Sequence, residues 1–198
     1  TLEEPSPHTV IILVASTLAS LLPTIASRCQ RVVFGPLDPG TLFSVLTKTH
    51  KIGTDEARYL SGICQGSLGV ALEYYASGLF SRRDEILDSL LGPSGSWEDL
   101  VTKERDEKTR RFEEIVVVVN SWLRDMAAAK VSQEPRFFLN TDRSGLVLQA
   151  AGRLSVADIE EKLTAVAGAA SDAARHVNGR LVLAKLREEL CRSSRKSV

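Results

Sequence analysis

The chain has 198 residues, long enough for one to three domains with a core each. Its 43% hydrophobic and 25% charged residues read as globular, and 25 basic residues against 25 acidic ones leave no net charge. That balance excludes a bulk electrostatic drive toward nucleic acid or an anionic membrane, and the scattered Cys29, Cys64 and Cys191 exclude a zinc knuckle or a Cys-x-x-Cys pair. An odd set of unclustered thiols suits a reducing cytoplasm. The apolar run Val10–Val14 falls far short of the roughly 20 residues that a membrane span needs, and no other run reaches that length.

In chain order, Val10-Ile11-Ile12-Leu13-Val14 predicts a strand buried on both faces of a parallel sheet. Ala15-Ser16-Thr17 forms a polar turn, Leu21-Leu22-Pro23-Thr24-Ile25 a short helix running into Ser27-Arg28-Cys29, and Val32-Val33-Phe34 a second strand. A lone strand cannot bury both faces. Thr1-Leu2-Glu3-Glu4-Pro5 carries neither an initiator Met nor a targeting pattern. The expectation is a fragment whose missing N-terminal part completes the sheet.

Gly35-Pro36-Leu37-Asp38-Pro39 reads as a linker into a helix, with Asp38 as cap and Pro39 in the first helical position. Leu42, Val45 and Leu46 carry that helix to about His50. Thr54-Asp55-Glu56 opens a second helix with a cap and early acids, and Ala57, Leu60 and Ile63 mark its apolar face. Gly66-Ser67 breaks it; Leu68, Ala71, Leu72 and Tyr75 form a third, ended by Gly78. Residues 35–78 thus read as a three-helix unit, followed by an amphipathic helix over Ser81–Leu91. Gly92-Pro93-Ser94-Gly95 is the clearest break in the chain.

Ser96 to Lys130 contains no Gly or Pro and predicts one long helix, charged over Lys103–Glu114 and apolar from Ile115 to Leu123. Its run Val116–Val119 has strand propensity, but length and flanking helix formers favour helix. Two more helices are expected at Val156–Arg175 and Val177–Cys191, with a polar, fraying end over Arg192–Val198.

Few residues suggest chemistry. A hydroxyl at a strand end, Ser16, can sense a phosphate or orient a water, or can simply bond its own turn. A guanidinium at a helix end, Arg28, can stabilise charge on a γ-phosphoryl group of a neighbouring subunit, or can form a surface ion pair. Gly66-Ser67-Leu68-Gly69-Val70 lacks a following Lys-Ser/Thr and reads as a helix-to-helix turn, and the pattern GxxxxGK[ST] occurs nowhere. His8, His50 and His176 lie in unrelated segments, so no metal is expected. Lys103–Lys108 alternates in sign and suits a solvated helix face, not nucleic acid. Arg187, Arg192, Arg195 and Lys196 suit compensation of a helix C-terminus.

Leu2-Glu3-Glu4-Pro5, the strand into Ala15-Ser16, Leu21–Ile25 and Ser27-Arg28-Cys29-Gln30, in this order, resemble the AAA+ subunits of bacterial DNA polymerase III clamp loaders. The resemblance implies a mainly α protein. It would comprise the end of an AAA+ α/β core with few strands (1–34), a three-helix lid (35–92) and an all-α collar for oligomerisation (93–198). It assigns Ser16 to the sensor 1 position, with Thr17 as nearest rival, and Arg28 to an arginine finger acting in trans. It implies tau/gamma and delta subunits as partners through the collar, and the sliding clamp and primed DNA through the assembled complex. No membrane is involved. ATP and Mg²⁺ would be held by neighbouring subunits, and no cofactor by these residues. The family's ATPases carry a lid arginine after a Gly-Ser pair, where this chain has Gly69 and Val70. That departure favours the delta-prime branch, which lends its finger and hydrolyses no ATP. The alternatives are a tau/gamma-type ATPase whose Walker motif lies upstream, and a helical adaptor that retains an AAA+ remnant.

Overall fold

The computed structural model describes residues 8–15, 17–91, 105–175 and 178–192, with the backbone path alone at 105–110 and 174. Ser16, Leu2-Glu3-Glu4-Pro5, the Gly92–Gly95 break, Lys103-Glu104, His176 and the tail beyond Arg192 lie outside the described residues, as do the side chains of 105–108. The chain divides into two compact units, Thr1–Gly35 and Pro36–Val198. Every regular element among the described residues is helical, and none of the helices is long and apolar enough to cross a membrane.

In the first unit a 3-10 turn spans Leu18–Ser20 and a four-residue helix, α1, spans Pro23–Ala26 with Pro23 at its start. The two expected strands do not form. Residues 10–14 and 32–34 have no regular structure, and their side chains are exposed, Val10, Ile12 and Val14 by 86%, 81% and 94%. A strand exists only where a neighbour completes its ladder, and none of the described residues forms a second strand beside either run.

The second unit starts as its caps dictate. Asp38 accepts a bond from the Thr41 amide and Pro39 stands first in α2 (Pro39–Lys48). Helix α3 (Thr54–Ile63) is capped by Gly53, not Thr54, without a side-chain bond; Asp55 and Glu56 lie in its first turn as expected. Gln65 and Gly66 then take positive φ, 48° and 79°, and Ser67 caps α4 (Leu68–Ala76) by accepting from the Val70 amide. A Cβ at Gly66 would lie 2.4 Å from the Leu37 carbonyl oxygen, and the Gly66 carbonyl accepts from the Leu37 amide at 3.0 Å. The turn therefore needs glycine twice over, for its backbone angle and for this close approach. Gly78, at φ 69°, ends that stretch, and α5 (Leu79–Leu91) begins at buried Leu79, two residues earlier than the sequence suggests.

Helix α6 (Arg105–Val131) contains the valine run. Ile115, Val118, Val119, Trp122, Leu123 and Met126 are all buried, and their spacing of three and four puts them on one helical face. Burial of that face overrides the strand propensity of valine. Helix α7 (Ser144–Gly152) is one that the sequence reading passed over; it is short, with Val147 and Ala151 as its buried pair. Helix α8 (Val156–Ala174) opens on a capping box between Ser155 and Asp158, and α9 (Gly179–Cys191) on Asn178, which accepts from the Arg180 amide.

Apolar side chains gather in two clusters. The smaller is built on Leu42, Leu46, Tyr59, Leu60 and Ala71 from α2 to α4. The larger joins α5 and α6 to α8 and α9 through residues such as Leu90, Val119, Leu123, Ile159 and Leu183. Ile63 and Tyr74 border both.

Candidate functional site

Arg28 follows α1 directly. The chain turns off the helix through bonds from the Ser27 amide to the Pro23 carbonyl (3.0 Å) and from the Arg28 amide to the Ile25 carbonyl (3.1 Å). The Ser27 hydroxyl and the Arg28 guanidinium both donate to the Thr24 carbonyl, at 3.2 and 3.4 Å. That carbonyl is one of those a helix end leaves without an intrahelical donor, so the two side chains satisfy it. One guanidinium nitrogen makes this bond and the residue is exposed to solvent. Such a group, with several donors in a planar fork, suits an anionic oxygen. Thr17 stands at the cap of the preceding 3-10 turn, where its carbonyl accepts from the Ser20 hydroxyl at 2.7 Å. Cys29 is half-buried and forms no disulfide.

In the second unit, the loop at Gly66–Val70 is the turn expected of it. The Val70 side chain is partly buried and packs against the smaller core. Among the described residues, no group of three His, Cys, Asp or Glu side chains is placed to hold a metal.

Sequence reading missed the charged centre of this unit. Arg83, on α5, is 1% exposed. Its guanidinium lies 4.6 Å from the ring centre of Phe80 and 5.1 Å from that of Tyr59, and reaches Asp142 with two nitrogens at 3.2 and 2.6 Å. Its neighbour Asp84 accepts two bonds from Arg143, at 3.3 and 2.5 Å. The bonds from Arg143 hold the Asp84 carboxyl below its ordinary value. Asp125, on α6, accepts from the Leu139 amide and from both nitrogens of Asn140, at 2.8, 2.7 and 2.7 Å. Burial nevertheless pushes its carboxyl above the usual carboxylate range. The Tyr59 hydroxyl meets the Ser121 hydroxyl at 3.1 Å, and burial raises its pKa to about 12. Arg83 is buried with its charge paired to Asp142, while the Asp84–Arg143 pair lies partly exposed at the edge, an arrangement that suits an architectural role. The sole hint in the sequence is the mirrored order Arg83-Asp84 and Asp142-Arg143.

A groove of about 290 Å³ runs between α8 and α9, lined in part by Glu161, Gly168, Asp172, Lys185 and Glu189. Beside it, the buried Lys162 ammonium donates to the carbonyls of Glu189, Leu190 and Arg192 at 3.3, 2.6 and 3.1 Å. The C-terminus of α9 is thus capped by a lysine from α8. Arg192, expected to serve that end, pairs with Glu189 at 3.3 Å.

Residues 1–38 match the family described as "DNA polymerase III, delta subunit". No curated protein and no solved structure matches the chain significantly. The matched stretch holds Ser16, α1 and Arg28 and ends at the cap of α2. On these residues the chain is similar to subunits of the DNA polymerase III clamp-loader type, and DNA replication beside other replication subunits is the setting that the match supports.

Proposed function

We propose that this chain works as a delta-prime-type subunit of a bacterial DNA polymerase III clamp loader, in the cytoplasm. Arg28 is its arginine finger, completing the ATP site of an adjacent tau/gamma subunit. Ser16 stands at the sensor 1 position. Residues 35–92 act as the lid, and the helices of 93–198 as the collar that joins tau/gamma and delta subunits. The sliding clamp and primed DNA are engaged by the assembled complex. The observation that carries the reading is Arg28 itself. It is an exposed guanidinium turned off the end of a short helix, within the stretch that matches the family. Gly69 and Val70, standing where the family's ATPases carry a lid arginine, favour this branch over the tau/gamma-type ATPase, and Val70 packs partly buried against the smaller core.

The test is Arg28→Ala in a loader reconstituted with tau/gamma and delta subunits, clamp and primed DNA. A finger supplied in trans is worth on the order of 10³ or more in phosphoryl transfer, so clamp-dependent ATPase and loading should fall by about that factor at the affected site. Arg28→Lys keeps the charge but loses the fork and should recover only part of the rate. Wild-type ATPase and loading in Arg28→Ala would overturn the assignment.

A further inference from the structure

Residues 138–140 straddle the two cores of the second unit. Phe138 is buried in the larger cluster, and its neighbour Leu139 packs against the smaller one. Leu139 reaches α3 so closely that a Cβ on Gly62 would lie 2.3 Å from its Cδ2 atom. Asn140 is fully buried between them. Besides these two apolar anchors, the segment is fastened by polar contacts. Asp125 of α6 accepts three bonds from Leu139 and Asn140. Immediately after it, Asp142 and Arg143 exchange ion pairs with Arg83 and Asp84 of α5 in reciprocal order. The Arg83 guanidinium also lies over the Tyr59 ring of α3, and the Tyr59 hydroxyl meets Ser121 of α6. One cation therefore touches a helix of the small core, a helix of the large core and the segment between them.

We infer that residues 138–143 are a latch, pinned by Arg83, that couples α2–α4 to the bundle α5–α9 so that the two cores open together. The physical basis is asymmetric. Each core has its own apolar interior, whereas the join adds to a few shared apolar residues, Ile63 and Tyr74, a set of polar groups centred on buried Arg83 and Asn140. Removing Asp142 strips the Arg83 guanidinium, 1% exposed, of both its short bonds and leaves it only the longer contact to Asp84 at 3.7 Å, which costs more than the net worth of the pair. The latch is thus all-or-none. Closed, it passes any displacement of α2–α4 into the bundle; open, it leaves α2–α4 held chiefly by their own core. This inference does not depend on the clamp-loader reading.

Native-state hydrogen exchange on the full chain tests it. In the wild type, the slowest amides of α2–α4, such as Leu46 and Leu60, should exchange at rates close to those of Leu123 and Leu183 in the bundle. Arg83→Met should speed exchange in α2–α4 by at least about tenfold more than in α6 and α9, the signature of a sub-global opening. Should Arg83→Met fail to fold, Asp142→Asn removes the same charge pair with its shape kept. Gly62→Ala, which displaces Leu139 alone, should act in the same direction more weakly. Equal acceleration in both regions would mean a simple loss of stability, and separate rates already in the wild type would mean uncoupled cores; either overturns the latch.

Discussion

The two units of this chain treat the same kind of residue in opposite ways. In the first, Val10, Ile12, Val14 and Phe34 stand 81–94% exposed, although they belong to the most apolar runs of that region. In the second, runs no more apolar close into cores in which Leu42, Leu46, Leu60 and Val119 have no exposure at all. The difference lies in the element, not in the hydrophobicity. A helix satisfies its backbone alone and needs a neighbour only for its stripe, whereas a strand needs a neighbour for every amide and carbonyl. Apolar runs of strand type therefore announce a demand for partners that these described residues do not meet. Runs of helical period can be satisfied locally first and packed afterwards.

That contrast can be broken by substitution. The largest effect on folding belongs to the second unit. Leu60→Ala, in the small core, should cost about 2–5 kcal/mol in urea unfolding, while Ile12→Ala in the first unit should stay within about 0.5 kcal/mol. A large loss from Ile12→Ala would show that the first unit's apolar residues already serve folding. Next comes Gly66→Ala. The added Cβ meets backbone at 2.4 Å and sits on a residue with φ of 79°, so a loss of about 1–3 kcal/mol is expected, read from the shift in the denaturation midpoint. An unchanged midpoint would mean that the turn re-forms without its contact to Leu37.

The smallest effect is one of pH. The folded-state pKa of Asp84 is depressed below its ordinary value of 3.8 by Arg143. The unfolded chain therefore takes up the proton first on acidification. The contribution of the pair is present above about pH 4 and is lost as pH falls through the folded-state value. Asp84 is partly exposed, and solvent screens the pair. Asp84→Asn should accordingly flatten the acid limb of a stability-against-pH curve slightly and leave its neutral region little changed. A steep acid limb that survives intact in the variant would assign it to other carboxylates.

Much of the second unit was legible in the sequence because its signals are local. Asp38-Pro39 favours a helix start, since the carboxylate caps and the ring sets φ. Gly66-Ser67 breaks one helix and caps the next for equally local reasons. Errors fell where local signals were thin or misleading. Helix α7 has only Val147 and Ala151 to declare its buried side, between two glycines, and its place is decided by α6 beside it. Thr54 looked like a cap, yet the chain turns one residue earlier, at Gly53. Arg28 could be singled out from sequence because its neighbours form a pattern in order; the setting of Ser16, its companion in that pattern, lies outside the described residues.

By itself, then, the sequence determined most of the helices from Asp38 onward, several of their caps and breaks, and the helix end that carries Arg28. Each of these depends on residues within about four positions of one another, the reach of a helical hydrogen bond. Only the tertiary structure decided which helices share a core, where α7 lies, and which face of the valine run of α6 is buried. It alone brought Arg83 to Asp142 and Arg143 to Asp84 across 59 positions, and turned Lys162 to the carbonyls that end α9. Such pairings are set by the packing of whole elements, and no short stretch of sequence contains both partners.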